Sequence, residues 1–134
     1  MTLSKQILAL DVGERRIGVA RGDTMIKIAV PLTTVLVDGT ELDQIRQLIA
    51  DERADVLVVG YPRNQSGDAT AQTAYVESVA EQLRSDIEMV YQDESLTSVI
   101  AEQRLVARGK PYDKAAIDAE AAAIILQDYL EQHV

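Results

Sequence analysis

The chain has no cysteine and a single histidine, His133, beside its last residue. The first absence excludes disulfides, thiol nucleophiles and cysteine-ligated zinc. The second leaves no histidine well placed as a base, so serine–histidine catalysis has no support. Long apolar runs are missing as well. The first, Ile7 to Leu10, is too short for a signal-peptide core and is followed by charge. Nothing approaches the roughly 20 residues that span a bilayer, and there is no repeat, low-complexity tract or linker. A soluble cytoplasmic protein with no membrane association is the expectation. Basic residues are also scarce: 13 lysines and arginines face 22 acids, for a net charge of −9. At first that argues against a nucleic-acid partner.

What is present is a globular chain. Its 134 residues, 47% of them apolar, suffice for one domain with a real core, expected to cover residues 1–134. The placement of the charges softens the objection raised by their sum. Eight of the 13 basic residues fall in two short segments, Arg15, Arg16, Arg21 and Lys27 in one, and Arg104, Arg108, Lys110 and Lys114 in the other. The acids are spread over the helical segments instead. A basic rim on an acidic body suits local contact with a polyanion; its bland alternative is a solvated face.

Periodicity orders the elements. Strands are expected over 6–12 and 16–23, then from about 26 to Pro31, with a hairpin turn at Gly22-Asp23-Thr24. Leu42, Ile45, Leu48 and Ile49 mark a helix over 40–53. Val56-Leu57-Val58-Val59 reads as a strand buried on both faces of a parallel sheet. A helix over 68–84, a strand over 87–91 and a helix over 96–108 follow. Asp113 is an N-cap for a last helix to 132. The order β-β-β-α-β-α-β-α-α implies a five-stranded mixed sheet, an antiparallel meander of three strands plus two parallel ones, with helices on both faces.

Chemistry on such a sheet belongs at the carboxyl ends of its parallel strands. Asp11 ends the first strand there, and Asp93-Glu94 follow the last. Burying such a charge costs several kcal/mol unless it is compensated, which makes Asp11 a site candidate. On the last helix Asp118 shares a stripe with Ala121, Ala122, Ile125 and Tyr129, and is expected to point inward. Glu120, grouped with Gln127 and Glu131, is expected to face water. Asp11, Glu94 and Asp118 would form an oxygen-only site suited to Mg2+ or Mn2+. Two such ions about 4 Å apart can position a water and stabilise a leaving oxygen. Strand alternation lets only one of Asp93 and Glu94 face the site; Glu94 is the expected ligand and Asp93 the alternative.

The motifs Leu10-Asp11-Val12-Gly13, Arg16-Ile17-Gly18-Val19-Ala20, Ala29-Val30-Pro31-Leu32, Val59-Gly60-Tyr61-Pro62 through Gly67, Asp93-Glu94 with Leu96-Thr97, and Ile117-Asp118 with Ala121-Ala122 and Ile125-Leu126 occur in that order. On them the chain, from about Ile7 to Leu130, resembles the YqgF family of pre-16S rRNA nucleases. That family is also described as Holliday-junction-resolvase-like, with a ribonuclease-H-like fold. The resemblance implies that Asp11, Glu94 and Asp118 are the catalytic metal ligands. Two departures remove positive charge near the site. Ser95 stands where the family usually has arginine, and Arg108-Gly109-Lys110-Pro111-Tyr112-Asp113-Lys114 is a thinned version of an often basic loop.

The function expected from the resemblance is a metal-dependent endonuclease for structured RNA, maturing the 5′ end of pre-16S rRNA. Arg15, Arg16, Arg63, Asn64, Lys110 and Lys114 are the expected nucleic-acid contacts, and Tyr61 and Tyr112 are loop aromatics able to stack on a base. Cleavage of branched DNA is the runner-up, and a non-catalytic nucleic-acid-binding domain is the alternative of another class. An ATPase of the actin and sugar-kinase type also opens with Asp-x-Gly, but needs two domains where this length supplies one. A homodimer stays open.

Overall fold

The computed structural model describes residues 4–62, 70–94 and 97–134, and of residues 97–99 the backbone only. Strand β1 (Gln6–Val12) is central because Ile7, Leu8, Ala9 and Leu10 are buried on both of its faces. β2 (Arg16–Asp23) runs antiparallel to it, and β3 (Val30–Leu36) antiparallel to β2. On the other side β4 (Val56–Pro62) pairs with β1 and β5 (Glu88–Glu94) with β4, both parallel. The strand order is β3-β2-β1-β4-β5.

Alternation sends successive side chains of these strands to opposite layers. Leu8, Leu10, Val12, Leu57 and Val59 meet Ile45 of α1 (Glu41–Asp51), Val76 and Ala80 of α2 (Ala71–Ala80), and Leu83 in the 3-10 turn that follows. Ile7, Ala9, Ala20, Val56 and Val58 meet Ala122, Ile125, Leu126 and Leu130 of α4 (Lys114–His133). α3 (Thr97–Arg108) lies outside α4, with Ala101 against Ala121 and Ile124. Asp113 caps α4, its carboxylate accepting from the Ala116 amide at 2.9 Å.

Two expectations fail, each for a local reason. The third strand begins at Val30 rather than near residue 26. Asp23 Oδ1 accepts from the amides of Met25 and Ile26, and Lys27 takes a left-handed φ of 62°, so the chain turns through 24–29 before it extends. Glu120 does not face water. It is 2% exposed, held by Arg108 at 3.0 and 3.1 Å and by Arg104 at 3.8 Å. α4 is covered on one side by the sheet and on the other by α3. A helix enclosed that way is buried nearly all round, and an acid there needs a cation with it.

Candidate active site

The site is assembled by two glycines. Asp11 follows Ile7 and Ala9 in strand alternation and so faces α4; across the ladder its partner is Gly18. A Cβ on Gly18 would overlap the main-chain carbonyl of Asp118. The missing side chain lets the backbone of α4 lie directly on β2, which brings Asp118 beside Asp11. On the other flank Leu10 is level with Val59, so Gly60 comes next to Asp11. In β5, Gln92 turns to α4, where its amide donates to Gln132 Oε1 at 3.0 Å, and Glu94 shares its side of the strand. Glu94 fills the space over Gly60, where a Cβ would lie 2.5 Å from its Oε2 and 2.6 Å from Ile125 Cδ1.

Burial and mutual charge set the electrostatics. Burial chiefly, and then the charge of Asp118, raises the Asp11 carboxyl to about 6. Burial and then the charge of Asp11 raise Glu94 to about 8. Asp11 is therefore the middle acid of a row, with Asp118 on one side and Glu94 on the other. Glu94 Oε2 is buried with no hydrogen-bond partner among the described residues, and an unpaired buried carboxylate oxygen calls for a proton or a cation. Asp118 is compensated already: its Oδ2 accepts from Arg16 Nε at 2.5 Å.

An all-oxygen donor set with one orphaned carboxylate oxygen fits a hard divalent cation and not zinc. Among the described residues no three such ligands form a closed cage as they stand; Asp118 is turned to Arg16. Asp93 is exposed and lies on the other side of β5 from Glu94.

The expected basic rim is smaller than its charge count. Arg21 is engaged by Glu52 at 3.1 Å, Arg16 by Asp118, and Arg104 and Arg108 by Glu120. Arg15, Lys110 and Lys114 remain exposed at the surface. Arg63, Asn64 and Ser95 lie outside the described residues. Tyr61 is a strand residue rather than a loop aromatic, its ring 4.9 Å from that of Tyr91 and its hydroxyl bonded to Glu77. Tyr112 is 39% exposed. A cavity of about 700 Å³ on the β5 edge, lined by Tyr61, Glu77, Glu81 and Tyr91 among others, includes none of Asp11, Glu94 and Asp118. Sequence reading missed the seating of Glu94 by Gly60 and the bond from Arg16 to Asp118. The available signal for the first was a glycine closing an apolar strand level with an acid.

This sheet order, with α4 against the face that carries Asp11, defines the ribonuclease-H-like class. Solved structures share it. One is T. thermophilus RuvC in complex with Holliday junction substrate, with a TM-score of 0.56, 15% identity and 93% of each chain covered. Another is the yeast mitochondrial Holliday junction resolvase Ydc2, with a TM-score of 0.51, 11% identity, and 92% of this chain and 77% of that one covered. At such identities the likeness shows the fold. The family model "RuvX: Holliday junction resolvase" matches residues 5–132, and the chain belongs to that family of phosphodiester hydrolases. It is 43% identical to a Roseiflexus protein over 94% of each chain. It is 47% identical to one from Chloroflexus aggregans over 93% of this chain and 92% of that one. Both relatives are named "Putative pre-16S rRNA nuclease". The chain is a nuclease, and among its described residues no helix is long and apolar enough to cross a membrane.

Proposed function

We propose that this nuclease is a divalent-metal-dependent endonuclease that cleaves structured RNA, in the maturation of the 5′ end of pre-16S rRNA in the cytoplasm, with the whole chain acting as one domain. The observation that carries the metal is the row Glu94–Asp11–Asp118 with a buried, unpartnered oxygen on Glu94. The three acids would hold Mg2+ or Mn2+, which when bound activates a water and stabilises the leaving oxygen of a phosphodiester. Arg15, Lys110 and Lys114, with Arg63 and Asn64, would hold the phosphate backbone around them. His133 stacks at 5.1 Å on Tyr129, about 22 Å along α4 from Asp118 at 1.5 Å per residue, too far to move a proton there. All three acids come from one chain, so a homodimer would add grip and not ligands.

The RNA follows from the names of the curated relatives. Branched DNA is the second reading, favoured by the family description and by the junction bound to the RuvC neighbour. Cleavage of a precursor with extended 16S 5′ sequence and of a four-way DNA junction, each with magnesium, manganese or chelator, separates them. Site-specific cutting of the RNA that chelator stops and Asp11→Asn lacks is expected. Cutting of the junction alone selects the second reading. Binding of either without cutting, under every metal, would leave a non-catalytic binding domain.

A further inference from the structure

The bond between Arg16 and Asp118 joins a residue expected to contact nucleic acid with one expected to hold metal. Arg16 Nε donates to Asp118 Oδ2 at 2.5 Å, with the two side chains 29% and 22% exposed. Among the described residues this is the only bond that the Arg16 guanidinium makes, and its two other nitrogens are uncommitted. Asp118 in turn sits close enough to Asp11 for its charge to be felt there. The main chain of Asp118 is fixed against Gly18, so its carboxylate can change partner only by rotating its side chain.

We propose that Arg16 is a positioning residue that occupies Asp118 in the metal-free protein and yields it to the divalent cation on binding. The inference rests on the metal reading above. The guanidinium sets a positive charge against the Asp118 carboxylate, which lies beside Asp11. Asp11 and Glu94 would hold the divalent cation, whose charge would replace that of the guanidinium and leave Asp118 able to turn from Arg16 towards them. The released guanidinium, still tethered at the start of β2, then presents its full fork to a phosphate oxygen, the geometry that suits arginine best. Arg16 and the cation thus compete for one carboxylate, so removing a positive charge from the site sharpens cation binding through a specific bond and not only through the general field.

Manganese titration of the free protein, read by water-proton relaxation with no nucleic acid present, tests this. Arg16→Gln is expected to bind Mn2+ about tenfold more tightly than native, the order of effect carried by one charge-assisted bond. Arg15→Gln removes the same charge one residue away from an exposed side chain and is expected to change affinity about twofold or less, since solvent screens it. Arg16→Lys keeps the charge without the Nε donor and should fall between native and Arg16→Gln. Melting provides the second measure. Arg16→Gln should melt below native in chelator, with Mn2+ raising it by more than it raises native. Equal affinities for native and Arg16→Gln, or equal tightening by Arg15→Gln, overturn the exchange while leaving the metal site standing, provided that Asp11→Asn abolishes binding. Absence of any Mn2+ binding that depends on Asp11 overturns both.

Discussion

The carboxylate of Glu94 rests in the space that Gly60 leaves by having no side chain: a methyl group there would stand 2.5 Å from Oε2. Gly60→Ala therefore tests whether that seat matters. Its Cβ would also press on Ile125 Cδ1 at 2.6 Å. Overpacking of this kind costs about 1–3 kcal/mol, and displacement of Glu94 should lower cleavage at least tenfold. Denaturant unfolding and cleavage rate together check it. A variant as active as native would show that Glu94 does not need this position. Gly18→Ala should be worse for the fold, because there the obstruction is the main chain of Asp118, which cannot swing away.

Neutralising the row should remove chemistry while sparing the fold. Asp11→Asn and Asp118→Asn are each expected to reduce nuclease activity to background with the circular dichroism unchanged. In chelator Asp11→Asn should melt no lower than native, since its charge is opposed from both sides, and it should lose most of the gain that divalent ions give. Sodium chloride at matched ionic strength is the control, because screening alone relieves a net charge of −9.

Stability should fall with rising pH where most carboxylates would be neutral in effect. Asp11 and Glu94 have folded values raised from 3.8 and 4.5 to about 6 and about 8. Between those limits the folded protein holds protons that the unfolded chain has released, so the slope of unfolding free energy with pH is negative. Their contribution is present below pH about 4 and is lost by about 8. Unfolding midpoints at pH 5 and 8.5, in chelator and at fixed ionic strength, should drop for native and drop less for Glu94→Gln. Excess magnesium should flatten the native profile. A native midpoint that holds steady across this range would mean that the two acids are not strained together.

The Glu120 cluster should respond asymmetrically. Glu120 is 2% exposed, while the side chains of Arg104 and Arg108 are about half exposed. Glu120→Leu frees two arginines that can turn to water, so its cost should be small, within about 1 kcal/mol. Arg104→Ala with Arg108→Ala strands a buried carboxylate, at a cost of about 3 kcal/mol or more. Reversal of that order in denaturant unfolding would show that water reaches Glu120.

Salt dependence sorts the rim. Lys110→Ala with Lys114→Ala should lower the slope of log affinity against log salt by about 2 if each lysine meets a phosphate. Glu52, which already holds Arg21, marks Arg21→Ala as the comparison that should leave the slope unchanged.

The strands were legible where burial is two-sided. Val56-Leu57-Val58-Val59 and Ile7–Leu10 leave few alternatives to central strands, and the Asp113 cap needed only a short acid before a helical stripe. The acids at the ends of β1 and β5 could be read from topology, because strand ends collect on one rim. Glu120 could not. Sorting α4 into one inner and one outer face assumes a single packing partner, and nothing in its own periodicity reveals that α3 covers the other side. Arg104 and Arg108, four apart on α3, were visible as cations but not as its counter-charge. The turn over 24–29 was hidden for a similar reason: its apolar residues, Met25, Ile26 and Ile28, read as strand but stand exposed, while Asp23 and Lys27 dictate the backbone.

Residues 119–126 of α4 are buried without a break between the sheet and α3. Their amides should be among the slowest in the molecule to exchange with solvent deuterium, opening only with global unfolding. Asp118 stands one residue before this segment, on a helix without freedom to hinge. Adjustment around it is then confined to rotation of the side chain, with the backbone held in place.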